Sequence, residues 1–213
     1  MNKLAISRKH FSQVVWDVIM SKETPPWTGV TVRDDLRLNA DYNTGTISTK
    51  AVWELYKIAR YFKPRVIAEV GTFIGTSTWA LADGMGDGEI HTCDAANNIV
   101  LEKHPSVNII QYPKKTSTEM FHTMSNRGIR PDMVYLDGRL TEPDYVLLGT
   151  ILKVETIFVL DDVEGIEKGM INAANLMGSL SQSHHFVYPA HGSLTAMVIP
   201  KAMVEFTAQE PMQ

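Results

Sequence analysis

With one cysteine in 213 residues, this chain can form no intramolecular disulfide, and Cys93 alone cannot furnish the thiolate cluster of a structural zinc site. Basic residues are not in excess either: 20 Lys and Arg stand against 24 Asp and Glu, a formal net charge of −4. A protein that grips a phosphate backbone usually carries a basic surplus or a basic stripe, so no nucleic-acid partner is expected. No run approaches the roughly 20 apolar residues of a membrane span. The opening MNKLAISRKHFSQ lacks the apolar stretch of a signal peptide. The expectation is a soluble, cytoplasmic protein with no membrane partner.

What is present suffices for a packed core. Hydrophobic residues make up 44% of the chain, and 14 Gly and 10 Pro are too few and too scattered for a disordered or collagen-like polymer. At roughly 100–200 residues per domain, one domain over 1–213 is expected. Residues 1–47 read as an N-terminal helix followed by a lid-like segment, and 48–200 as the core. The helix is expected over 10–20, where Phe11, Val14, Val15 and Val18 recur at helical spacing. The Pro-, Gly- and Asn-rich stretch after it retains Trp27, Leu36, Leu38 and Tyr42. It reads as a functional surface loop, with Trp27 near an acceptor pocket.

From Ser48 the pattern alternates. Helices are expected over 48–62, 77–84, 97–103, 117–127, 145–152 and 165–180. Short apolar runs between them read as strands over 65–70, 89–94, 107–112, 133–136 and 156–160, with a closing hairpin at 185–188 and 194–199. Such alternation predicts a doubly wound, mostly parallel α/β sheet of seven strands with an antiparallel terminal hairpin. Trp16, Trp53 and Trp79 are assigned to the core, as are the methionines, including Met170 and Met177. His184, His185 and His191 read as solvated strand ends.

In an open parallel sheet, ligands lie outside the carboxyl ends of the strands. The turn after the first core strand reads Glu69-Val70-Gly71-Thr72-Phe73-Ile74-Gly75-Thr76-Ser77. Gly71 and Gly75 permit close backbone approach, and Thr76 and Ser77 offer hydroxyls where the next helix begins. The spacing matches neither the dinucleotide nor the triphosphate fingerprint. The next strand ends at Asp94, about 25 residues beyond Glu69, where a carboxylate suits a ribose diol. Asp137 ends the fourth strand, and Asp161 and Asp162 end the fifth. Three carboxylates in one cleft call for a positive partner, either Mg²⁺ or Ca²⁺ or a cationic ligand. The plainer alternative is that one caps the following helix and one orients a loop amide. Arg139, two residues past Asp137, is a further candidate to neutralise the cluster.

The ordered set E-V-G-T-F-I-G-T-S, Asp94, Y-L-D-G and V-L-D-D-V resembles the class I S-adenosylmethionine (SAM)-dependent methyltransferases, in particular small-molecule O-methyltransferases of the catechol and macrocin type. The resemblance spans roughly residues 40–200. It implies methyl transfer to the hydroxyl of a small-molecule acceptor, Mg²⁺-assisted in the metal-dependent members, with a homo-oligomer as an open partner. Cofactor contacts would come from Thr44, Gly45, Glu69, Gly71, Thr72, Phe73, Gly75, Thr76, Ser77, Asp94, Ala95, Thr116, Ser117 and Asp137, with Lys115 also beside the adenine. The metal would rest on Asp137, Asp161 and Asp162, and catalysis on Asp137 and Asp162. Two departures stand out. Gly138-Arg139-Leu140 follows the fourth-strand aspartate where relatives often place a base, and Lys153-Val154-Glu155 replaces a Gly-Gly turn. Arg139 is always protonated and cannot act as a base, which leaves Glu142, Asp144 or a metal-bound hydroxide. The same scaffold is also compatible with cleavage of SAM, or with a binding module that performs no chemistry.

Overall fold

A computed structural model describes residues 4–6, 11–21, 47–96, 100–166, 168–190 and 192–206. The expected element at 97–99, the expected segment around Thr44 and Gly45, and Trp27 and His191 lie outside these residues. Short strands and helices alternate as follows: β1 (Leu4–Ile6), α1 (Phe11–Met20), α2 (Thr49–Phe62), β2 (Val66–Val70), α3 (Thr76–Met85), β3 (Gly88–Asp94) and β4 (Val107–Pro113). They continue with α4 (Ser117–Asn126), β5 (Met133–Leu136), α5 (Glu142–Ile151), β6 (Ile157–Leu160), α6 (Gly169–Leu180), β7 (His184–Val187), β8 (Ala196–Pro200) and β9 (Val204–Phe206).

Local chemistry sets the boundaries. Ser48 caps α2 by accepting from the Ala51 amide at 3.1 Å, and Lys63 in left-handed geometry followed by Pro64 ends it. α5 begins three residues before the sequence pattern suggests. Thr141 and Asp144 form a reciprocal capping box with Pro143 in the first turn, a signal that outranks apolar periodicity. By contrast α6 starts four residues late, at Gly169. The short helix expected over 97–103 is absent from its described part, since residues 100–103 take up no regular structure.

Seven strands form one sheet in the order β4-β3-β2-β5-β6-β8-β7. The first five are mutually parallel, and β8 runs antiparallel to both β6 and β7. The central strands β5 and β6 are apolar on both faces, as burial on both sides requires. Alternate residues feed two cores. On one face Ile67, Tyr135 and Val159 pack with Val52, Leu55 and Ile58 of α2, Leu81 of α3, and Val15, Trp16 and Ile19 of α1. On the other Ala68, Val134 and Leu160 meet Met120 and Phe121 of α4, Leu148 and Ile151 of α5, and Leu176 of α6.

Several expectations need correction. A two-stranded parallel pair, β1 with β9, joins the ends of the described chain. It was not anticipated, because three-residue strands carry no periodicity to read. Met170 and Met177 are exposed on α6 and are not core. Val18 lies on the outer side of α1, while Trp16 and Ile19 turn inward. Trp53 and Trp79 are only half-buried. His184 is buried, with Nε2 3.1 Å from the Thr156 carbonyl oxygen, so it is not a solvated strand end.

Candidate active site

The sheet order reverses at β2. The chain after β2 goes to β3 and β4 on one side and later to β5 and β6 on the other. The loops at the carboxyl ends therefore diverge there and leave a crevice. A cavity of about 690 Å³ opens at this point, within the range of small-molecule sites.

Its first wall is the turn after β2. Gly71 and Thr72 both donate to the Cys93 carbonyl oxygen, at 3.0 and 3.1 Å, so the turn is tied to the end of β3. Gly71 has φ +106°, and a Cβ there would stand 3.2 Å from the Asp137 carbonyl carbon, so only glycine fits without strain. Phe73 is also left-handed, φ 43°, a strained conformation for an aromatic residue. It is held by its amide, which donates to Asp94 Oδ2 at 2.8 Å. Asp94 Oδ1 accepts from the Ala96 amide at 2.9 Å. A carboxylate can accept about four hydrogen bonds, so backbone bonds hold Asp94 in an orientation that suits a ligand's donors.

Thr72, Phe73, Thr76 and Ser77 line the cavity with Gly71, Asp94 and Ala95, and Lys115, Thr116 and Ser117 close it from the start of α4. Thr116 and Glu119 form a capping box there, with the Thr116 amide 2.9 Å from Glu119 Oε2. Ile47 also reaches the cavity. Thr44 and Gly45 lie outside the described residues.

Glu69 and Gly75 stand behind the wall rather than in it. Glu69 is wholly buried and accepts from Ser77 Oγ and Thr78 Oγ1, both at 2.6 Å. It anchors the first turn of α3 and shows no surface to the cavity. Burial pushes its carboxyl up to about 7, against the pull of these hydroxyls, and the nearby Asp94 adds to the rise. Gly75 has φ +79° and packs under Leu101.

The opposite wall comes from β5 and β6. The Asp137 amide continues the ladder to the Val70 carbonyl and the Asp161 amide to that of Leu136, each at 3.0 Å. These two bonds deliver both aspartates to the strand ends. Asp162 follows with φ 52°, a strained non-glycine turn at this edge like Phe73 and Lys114. Lys168, which sequence reasoning passed over, extends its ammonium between them, 3.1 Å from Asp137 Oδ1 and 3.0 Å from Asp162 Oδ2. The signal was legible in principle as a lysine at the start of the helix that follows the V-L-D-D strand. Asn172 was also missed. Its Nδ2 donates to the Gly138 carbonyl at 2.8 Å while its Oδ1 accepts from the Leu140 amide, pinning the loop after β5.

Asp161 turns away. Its Oδ2 accepts from the Tyr135 hydroxyl at 3.3 Å, and its buried Oδ1 has no partner among the described residues. Burial and the adjacent Asp162 raise its carboxyl above the ordinary range. Burial first and Asp161 second lift Asp137 to about 7 in spite of Lys168. Lys168 itself is raised, because the two carboxylates outweigh the opposing effect of its burial.

Three corrections follow for the charged cluster. The expected trio of metal ligands does not converge. Among the described residues no group of three or more His, Cys, Asp or Glu side chains is arranged to hold a metal ion, and an ammonium already fills the gap between Asp137 and Asp162. A divalent cation does not fit this donor set. Arg139 lines the cavity, but it is Lys168 that pairs with the acids. Asp144 is no candidate base. It is fully buried and accepts from Ser117 Oγ, Thr118 Oγ1, and the Thr141 amide and hydroxyl. Glu142 is exposed and does not line the cavity.

No protein-family model matches the chain, and no curated protein matches it. Solved structures do. An O-methyltransferase from Bacillus cereus in complex with S-adenosylhomocysteine (SAH) superposes with a TM-score of 0.58 at 15% identity, covering 90% of this chain and 97% of that one. TomG from Streptomyces achromogenes, an O-methyltransferase involved in tomaymycin synthesis and solved with SAM, gives 0.56 at 17% identity over 88% and 94%. A methyltransferase from Podospora anserina bound to SAH gives 0.57 at 13% over 94% and 100%. The fold is that of the class I methyltransferases. At these identities the likeness fixes the methyltransferase architecture, and function must be argued from the cavity. Among the described residues no helix is long and apolar enough to cross a membrane.

Proposed function

We propose that this chain transfers the methyl group of SAM to a hydroxyl of a small-molecule acceptor. The observation that carries the reading is one cavity at the switch point with two chemically distinct ends. At one end are the glycine turn and Asp94, and at the other Asp137, Asp162 and Lys168. β3 and β5 flank β2, so Asp94 and Asp137 leave strands about 10 Å apart. A nucleoside joined to a short charged chain fits that span.

SAM supplies an electrophilic methyl group on a sulfonium, so the protein has only to bind, orient and handle one proton. Asp94, with its backbone bonds already made, accepts from the ribose hydroxyls without further ordering. Gly71 keeps the floor free of a side chain. The acceptor oxygen bonds to the methyl carbon as the sulfur–carbon bond breaks and sulfur keeps the pair. Asp137 lines the cavity and titrates near neutrality, which suits the group that takes the hydroxyl proton and returns it to water. Asp162 serves by holding Lys168.

Calorimetry with SAH tests the site. Asp94→Ala removes a charged acceptor from the diol and is expected to weaken SAH by roughly 10- to 100-fold, about 1–3 kcal/mol. Unchanged affinity would sink the assignment. Turnover is read by incubating SAM with and without a panel of small phenols and polyols. SAH formed only with an acceptor supports methyl transfer. Other fragments formed without one would mean SAM cleavage, and tight binding with no turnover on any acceptor a binding module.

A further inference from the structure

The cluster at the acceptor end contains its own cation. An ammonium has three N–H donors. Two of those on Lys168 are taken by Asp137 Oδ1 and Asp162 Oδ2, while the side chain is 43% exposed and lines the cavity. The third has no partner among the described residues.

This placement is built into the backbone. A Cβ on Gly169 would stand 2.2 Å from the Asp161 carbonyl oxygen and 2.6 Å from that of Asp162, so α6 begins in direct contact with the end of β6. Only a glycine permits that approach, and it brings the preceding residue, Lys168, over the strand end. Lys168 has φ −129° and ψ −80°, outside helical geometry, so its side chain is directed apart from the helix that follows. Asp162, in its left-handed turn, meets the ammonium from the other side. Three separate features of the chain therefore converge on one ion-pair geometry.

We propose that Lys168 is the resident cation of the acceptor end: it holds the place between Asp137 and Asp162 that a divalent ion would need, and directs its free N–H to the acceptor oxygen. The acceptor half of this proposal rests on the methyltransferase reading, whereas the cation half does not. The chemistry favours an oxygen nucleophile, whose lone pair can accept the ammonium's N–H, over a protonated amine, which has none to offer. It also removes the need for a metal to stabilise a developing alkoxide or phenoxide.

Titration of the wild-type protein with Mn²⁺, followed by calorimetry, is the first test. No binding that saturates below about 1 mM is expected. Saturable binding that Asp137→Asn abolishes would overturn the proposal, and this readout is independent of any Lys168 variant. In the second arm, Lys168→Met uncovers the carboxylates at nearly constant side-chain length. It is expected to gain a Mn²⁺ site and to melt at a higher temperature with Mn²⁺ than without it, while the wild type is indifferent. A folded Lys168→Met protein that ignores Mn²⁺ would count against the proposal. SAH affinity of the wild type separates the two readings. Failure of the wild type to bind SAH refutes the methyltransferase assignment and leaves the cation result standing.

Discussion

Glu69 is a fully buried carboxyl behind the site, and its environment makes a quantitative statement about pH. Its folded-state value is about 7 against an ordinary 4.5, because burial disfavours the charged form more than Ser77 and Thr78 favour it. A raised carboxyl means the folded protein binds the proton more tightly than the unfolded chain. The contribution is fully present below about pH 4.5 and is lost as pH rises through 7. A shift of about 2.5 units corresponds to about 3 kcal/mol in all, of which about 2.5 kcal/mol falls between pH 5 and pH 8 by the same linkage relation. Glu69→Gln removes the titration while keeping shape and hydrogen-bonding capacity, since a hydroxyl of Ser77 or Thr78 can accept from the new amide as well as donate to it. The assay is urea unfolding of both proteins at pH 5, 6, 7 and 8, read by tryptophan fluorescence. The wild type should lose about 2.5 kcal/mol relative to the variant across that range, with Asp137 titrating equally in both. Parallel pH profiles would refute the reasoning, and a wild type that gains on the variant as pH rises would reverse its sign.

Asp144 gathers four donors from the starts of α4 and α5, so Asp144→Ala should destabilise the fold by about 3 kcal/mol, measured by urea unfolding. A loss below about 1 kcal/mol would show that those helix starts hold without it. Cys93 is buried at the end of β3, and its thiol is raised by burial first and by Glu69 and Asp94 next. It should resist a thiol-disulfide reagent at pH 8 until urea unfolds the chain, and prompt stoichiometric labelling of the native protein would contradict that placement.

The regular part of the fold was legible because its signals are local. Runs such as Met133–Leu136 and Ile157–Leu160 are apolar at every position, and caps such as Ser48 announce their helices. The glycine turn and Asp94 could be placed from spacing alone because a parallel sheet puts all strand ends on one edge. What escaped was whatever depends on side-chain direction or on distant partners. Glu69 reads like a cofactor contact, yet strand alternation turns it beneath the helix that follows. Asp161 and Asp162 are adjacent, but the left-handed turn at Asp162 parts their side chains, and it is Asp162 that pairs with Lys168. Lys168 looks like any solvated lysine until Gly169 is seen against the Asp161 and Asp162 carbonyls. β1 and β9 are too short to show a period, and their pairing links residues about two hundred apart in sequence.

The same close approaches couple the two ends of the cavity. Gly71 on the cofactor side is packed on the Asp137 backbone, and a Cβ on Gly138 would stand 2.8 Å from Val70 Cγ1. β2 and β5 therefore meet closely at their carboxyl ends, joined by the Asp137 amide on the Val70 carbonyl. On the far side Gly169 packs on the end of β6, and the Asp161 amide joins β6 to β5. A displacement of the glycine turn must move Asp137, and a displacement of Asp137 must move or release Lys168. Interiors at this density transmit such shifts instead of absorbing them. The distance between the methyl donor and the acceptor's oxygen would thus be set by backbone contacts among three adjacent strands, which is the accuracy that an in-line transfer demands. Flexible side chains are left with the electrostatics alone, and there Lys168 is held at two points.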